Sequence, residues 1–211
     1  FWDAALAALD ADAPVALPRL QRLEMIVRHA ASTIDEATEF GFKHHLLQQV
    51  TYATMLKRAR QEGHAKVAAW LVDLSSAQRA NPLHALIAEH FEKCGDTRNA
   101  CEYYTRAAEH AATRYAHDVL LEASNQALAL ADADDHTTRW RLHTVRERYF
   151  DTQGQRDAQE GAIAALHALA EAMSDDARRP EVAWCRAELA FRIGDYPTSQ
   201  AHARRGLEWA Q

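Results

Sequence analysis

Turn-forming residues are scarce in this 211-residue chain: it holds 7 glycines and 5 prolines. So few breakers leave little room for the many short strands of a sandwich or barrel, and they exclude collagen-like and Pro/Gly-rich disordered classes. Cysteine is scarce too. The three present, Cys94, Cys101 and Cys185, form no CxxC, and an odd count at this length reads as reduced core thiols and not as a disulfide framework. Basic surplus is missing, with 24 Lys and Arg against 30 Asp and Glu, a formal charge of -6. No electrostatic drive toward phosphate backbones or anionic lipid follows from that balance, so neither nucleic acid nor a membrane is an expected partner. There is no run of about 18 apolar residues and no signal peptide, which makes a cytoplasmic setting the expectation. The chain opens on Phe1 and not on Met, and it is therefore expected to be part of a longer protein.

What the chain has is alanine, about a fifth of all residues, within a composition that is 48% hydrophobic and 26% charged. Alanine is the strongest helix former, so the balance predicts an almost wholly helical protein with a sizeable core. Residues 1–80 carry 9 basic and 9 acidic side chains, while 81–211 carry 15 and 21. The shift coincides with Asn81-Pro82, which follows the polar residues Ser75, Ser76, Gln78 and Arg79. Proline is tolerated in the first turn of a helix, where its missing N–H costs nothing. A domain boundary is expected there, giving one module over 1–80 and a second over 81–211.

In the first module Phe1 to Leu9 reads as a short amphipathic helix, and Leu17, Leu20, Leu23, Ile26 and Val27 follow at helical spacing after Pro14 and Pro18. Thr33-Ile34 and Glu39-Phe40-Gly41-Phe42 alternate and predict two short strands. Helical spacing returns with Leu46, Leu47, Val50, Ala53 and Leu56 on one face, then His64, Val67, Ala68, Leu71 and Leu74 on another. Helices, a small hairpin and further helices describe a winged-helix-like module.

The second module reads as helical hairpins. Leu83, Ile87 and Phe91 lead to Cys94-Gly95-Asp96, after which Ala100, Tyr103, Tyr104, Ala107 and Ala108 mark a returning helix. Glycine can take the left-handed conformation that stops a helix, and aspartate can cap the next. Gly154 and Gly194-Asp195 stand at similar turns, while 131–135 and 174–180 read as loops between hairpins. Small residues on the second helix of each pair allow close backbone approach, as in stacked helical arrays.

Two segments carry resemblances. Ile87-Ala88, Phe91, Gly95-Asp96, Ala100, Tyr104 and Ala107 are spaced as in a tetratricopeptide repeat, whereas later pairs depart from it, with Ala190 in place of an aromatic and Ser199 in place of Ala. The run Glu39-Phe40-Gly41-Phe42-Lys43-His44-His45-Leu46-Leu47-Gln48-Gln49-Val50-Thr51-Tyr52, followed by Arg60, His64, Val67-Ala68 and Trp70-Leu71, is similar to the stretch after the nucleotidase core of bacterial STAND ATPases. These include ones attached to adenylate/guanylate cyclases or LuxR-type regulators, and Phe1-Trp2-Asp3 resembles the opening of their winged helix. The resemblance spans residues 1–115 and, more loosely, the rest. It implies an all-α fold in which a winged-helix-like module with a minor β hairpin precedes an α-α superhelix of tetratricopeptide-like hairpins. No GxxxxGK[ST] occurs, so the ATP/ADP site of the parent protein is expected upstream, in a nucleotidase domain that partners this region, with no cofactor in the region itself.

His44 falls where the resemblance implies a contact with the β-phosphate of bound ADP, at a helix start whose amides favour an anion. Apoptosome-like relatives follow that His with Asp, where this chain has His45. The alternative is that His44 only caps or packs the junction between hairpin and helix. His44, His45 and His64 lie near one another in sequence, but HExxH is absent and the spacing supplies no third ligand, so scattered histidines and no metal site are expected. GxSxG is absent as well, and Cys94 and Cys101 sit on apolar faces, which reads as buried thiols. Tyr103, Tyr104 and Arg106 are candidate partner-binding residues on the arm, and the same aromatic spacing also fits plain core.

The expected function is a non-catalytic sensor and protein-interaction region that couples a protein, a peptide or a small-molecule inducer on the helical arm to an upstream nucleotide switch. The alternatives are a tetratricopeptide scaffold without nucleotide coupling and a hydrolase with an unrecognised histidine site.

Overall fold

The computed structural model describes residues 1–35, 37–77 and 83–210. The boundary expected at Asn81-Pro82, with Gln78 and Arg79 before it, lies outside the described residues. Those residues are mostly helical, with eleven α-helices and one two-stranded sheet among them. They gather into two compact units, Phe1–Ala100 and the residues from Cys101 onward.

The first unit begins with α1 (Asp3–Leu9), a 3-10 turn (Ala13–Ala16) and α2 (Leu17–Arg22). Pro14 and Pro18 stand in the first turns of the latter two, where no N–H is required of them. Strands β1 (Ile26–Arg28) and β2 (Phe40–Phe42) then pair antiparallel, with Ile26 opposite Phe42 and Arg28 opposite Phe40. The helices α3 (His45–Thr54), α4 (Lys57–Ala77) and α5 (His84–Cys94) follow, and α6 (Thr97–Thr113) begins at the unit's end.

Two expectations are corrected here. The helix expected through Val27 stops at Arg22, because Glu24 turns left-handed at φ 55° and the Met25 amide closes back on the Leu20 carbonyl at 3.0 Å. The chain then leaves extended, and the β-branched Ile26 and Val27 supply the first strand. Thr33-Ile34 is instead part of a turn. Thr33 spends its backbone N–H (2.8 Å) and its hydroxyl (3.0 Å) on the Glu39 carboxylate, and the Ile34 amide is taken by Ser32 Oγ, so no ladder can form there.

Leu17, Ile26 and Phe40 form a buried cluster, flanked by Phe1, Leu6, Leu20 and Phe42. The rings of Phe1 and Phe40 stack with centroids 5.8 Å apart. Val67, Ala68 and Leu71 of α4 are buried as the spacing predicts, along with Ile87 and Ala88 of α5. The apolar face of α3 forms as the spacing predicts but is not core. No residue of that helix is buried, and Leu46 (70% exposed) and Val50 (53%) point to solvent, as does Leu56 just beyond the helix.

The second unit continues α6 with α7 (His117–Leu130), α8 (His136–Gln153), α9 (Arg156–Ala172), α10 (Arg179–Arg192) and α11 (Tyr196–Trp209). Helices α8 and α9 pack together, as do α9 and α10, and α10 and α11. Trp140, Ile163, Leu166, Leu169, Ala170 and Val182 form a continuous core. Gly154 and Gly194 are left-handed, at φ 68° and 84°, as is Gly95 in the first unit at 92°. Each sits where the pattern calls for a helix stop. Asp135 and Asp195 cap the helices that follow them, accepting from the Thr138 and Thr198 amides at 3.0 and 3.1 Å. Gly206 meets α10 closely, since a Cβ there would lie 3.3 Å from Ala183 Cβ.

Leu142 is fully buried within this stack, while Leu207 is 67% exposed. Leu142→Ala is expected to lower the unfolding free energy by about 2–5 kcal/mol through lost contacts and a residual cavity. Leu207→Ala is expected to stay within about 0.5 kcal/mol of the parent. Urea denaturation of the three chains checks the contrast.

Candidate functional site

A cleft of about 870 Å³ opens in the first unit. Its apolar walls come from the cluster around the hairpin and from α4, with Leu17, Phe40, Phe42 and Val67 among the lining residues. The polar end is built by three helices. Tyr52 stands near the end of α3, Arg60 and His64 one turn apart on α4, and His90 on α5. The i,i+4 spacing of Arg60 and His64 places both on one face of α4.

These side chains form a hydrogen-bonded chain. Tyr52 Oη and His64 Nε2 are 2.8 Å apart, and His64 Nδ1 lies 3.0 Å from His90 Nδ1. Two facing Nδ1 atoms can bond only if one carries a proton and the other does not. If His64 is the donor, its Nε2 accepts from the Tyr52 hydroxyl. If His90 is the donor, the His64 Nε2–H donates to Tyr52. The Arg60 guanidinium stands over the Tyr52 ring, 5.0 Å from its centroid.

Burial holds this pair neutral. It pushes the His90 proton affinity down to about 4, assisted by His64 and Lys93. His64 is lowered by burial first, then by Lys93 and Arg60. On the strand side Glu39 also lines the cleft. Its carboxylate is held below the usual range by the Thr33 amide, and His29 stands 3.8 Å away.

The residues singled out by sequence fall elsewhere. His44 is the exposed N-cap residue of α3 and makes no side-chain capping bond. His44 and His45 begin α3, and His64 pairs with His90, which is 26 residues distant in sequence. Among the described residues no group of three His, Cys, Asp or Glu is placed to hold a metal ion. Tyr104 is buried, at 6% exposure. Tyr103 is half-buried beneath Arg106, whose guanidinium stacks 5.0 Å from the ring centroid while pairing with Glu102 at 2.7 Å.

A second concavity, of about 590 Å³, lies in the second unit between α6, α7 and α8. Arg141 grips both Glu109 oxygens at 2.8 Å and Glu102 at 2.9 Å. Those bonds, from Glu109 first, hold its guanidinium above its already high range. Tyr115, His117 and Tyr149 form an aromatic row on the same rim, with 5.2 Å between the last two rings. Glu147 and Gln159 make a buried 2.8 Å bond and belong to the core. Burial pushes the Cys185 thiol up to about 12 and raises that of Cys101, which leaves neither as a thiolate nucleophile.

His64 stands out in the sequence beside His44 and His45, yet nothing in its spacing from His90 says that two helices bring these rings together. No protein-family model matches the chain, and no curated protein matches it.

The pair makes the first unit sensitive to acid. In the unfolded chain histidine takes up its proton near 6.5, whereas folded His90 does so only near 4. Between those values the unfolded state binds more protons, so stability falls as pH drops through that window. His143 in the second unit is lowered likewise by burial, to about 4, so the readout must be local. Protection factors for amide hydrogen exchange in α4 and α5, each taken against the intrinsic exchange rate at the same pH, are expected to fall between pH 6.5 and 4.5, and His90→Gln is expected to flatten that dependence.

Proposed function

We propose that this chain is the non-catalytic sensor and protein-interaction region of a STAND-type signalling ATPase. In this reading a winged-helix-like module over 1–80 contacts an upstream nucleotidase domain, and a tetratricopeptide-like arm over 81–211 receives a protein, a peptide or a small-molecule inducer. The observation that carries the reading is the run from Phe40 to Tyr52 with Arg60, His64 and Val67-Ala68 after it. In the fold this run forms β2, the corner at His44 and α3, and then enters α4.

Three features support it physically. His44 stands exposed at the start of α3 with its ring uncommitted to a cap, available to an anion that the first helical amides also favour. The exposed Leu46 and Val50 leave an apolar stripe on the same helix for a neighbouring domain to cover. Left-handed glycines at 95, 154 and 194, each followed by Asp or Gln, repeat a helix-turn-helix grammar suited to an extended contact surface. Signalling then requires only that the arm's ligand bind the open form of the switch better than the ADP-bound form.

The proposal is tested on the intact parent protein by following dissociation of a fluorescent ADP analogue. His44→Ala is expected to speed release by about tenfold or more, the loss of one strong phosphate contact, and to raise basal output. An unchanged ADP off-rate would reject the nucleotide coupling and leave a plain tetratricopeptide scaffold.

A further inference from the structure

We infer that the cleft of the first unit is a binding site for an apolar monocarboxylate, its hydrocarbon body against Leu17, Phe40, Phe42 and Val67 and its carboxylate at Arg60, beside the hydrogen-bonded His64–His90 pair. This site shares no residue with His44 or with Tyr103, Tyr104 and Arg106, so it stands or falls without the nucleotide switch.

The body of the ligand follows from the walls. At about 870 Å³ the cleft falls in the size range of small-molecule sites, and apolar side chains with a few convergent polar groups are the composition of such sites. A wet apolar cleft is unfavourable to keep, and a hydrocarbon chain or ring displaces its water at a gain of roughly 25 cal/mol per Å² of apolar surface buried.

The sign of the head group follows from the polar end. Arg60 makes no ion pair with any carboxylate among the described residues, and its guanidinium is turned over Tyr52 at the mouth of the relay. A planar fork of this kind matches a carboxylate in two-bonded geometry. Lys93 adds to the positive field felt by both histidines, although it also contacts Glu89 at 3.3 Å. A cationic head would face the Arg60 guanidinium, which has no carboxylate partner among the described residues. Glu39, on the strand side with His29, is already occupied by Thr33.

The number of charges follows as well. One guanidinium and a neutral histidine pair, with Tyr52 as a further donor, balance one negative charge. A dianionic phosphate would leave one charge uncompensated at neutral pH. Carboxylate binding also reverses the effect of burial on the imidazoles, because a nearby anion favours their charged form. The pair is therefore neutral at pH 7.5 and protonates more readily on acidification when ligand is bound, so affinity should rise as pH falls from 7.5 to 5.5.

The test uses the 211-residue chain, with decanoate as the anionic probe and decyltrimethylammonium as its cationic counterpart, both below their micellar concentrations, in calorimetric titrations. One decanoate per chain is expected, binding about tenfold or more tighter than the cation and more tightly at pH 5.5 than at 7.5. Arg60→Met is expected to weaken decanoate by about tenfold. Gly63→Leu is the second variant. Gly63 lines the cleft on α4, and an added Cβ would meet nothing nearer than Leu9 Cδ2 at 3.8 Å, so the longer side chain should fold and occupy the cleft, removing decanoate binding. Circular dichroism establishes that both variants are folded. Absence of decanoate binding to the parent chain, equal affinity for the two probes, or unaltered binding in either folded variant would each overturn the inference.

Discussion

Close approach between helix backbones is the constraint from which the rest of this protein follows. It depends on alanine and glycine wherever two helices meet. Ala68 and Ala88 in the first unit, and Ala108, Ala127 and Ala170 in the second, are fully buried. Each contributes only a methyl group to its interface, so partner helices sit near enough for larger side chains such as Leu71, Ile87 and Leu142 to fill the remaining space. The hydrophobic gain per residue is modest, and it is recovered through the number of such contacts and through alanine's small entropic cost of helix formation. Turns must then be tight, which accounts for the left-handed glycines and the aspartate caps.

The polar features follow from the same geometry. When α4 and α5 pack through small residues, the longer side chains at the edge of the contact are forced together, and His64 meets His90. The environment is partly dry, so both rings are held neutral and must share a single proton between facing nitrogens. Arg141 plays the equivalent part in the second unit, where a chelate of two glutamates from α6 offsets the loss of hydration on its guanidinium.

The first unit contrasts with this economy. Its hairpin and short helices gather around Phe40 and Ile26, while α3 contributes no buried residue. A cleft remains between that cluster and α4. The same unit therefore holds a packed core, an open apolar cavity and an exposed apolar helix face.

Much of the helical framework could be read from the chain alone, because its signals are local: alanine content, the period of Val67, Ala68 and Leu71, and the glycine stops at 95, 154 and 194. The Phe40–Phe42 strand was legible for the same reason. Its partner was not, because Ile26 and Val27 fit a helical period until Glu24 adopts a left-handed turn that glutamate gives no reason to expect. The exposure of α3 was not legible, because an apolar period shows that a face seeks cover, whereas only the packing of the whole unit decides whether cover exists. The His64–His90 contact likewise joins residues whose spacing carries no mark of it. Local preferences thus determined which segments are helical and where they stop, and tertiary packing alone decided which faces were buried, which histidines met and where the cleft was left open, since those outcomes depend on distances between segments that the order of residues does not encode.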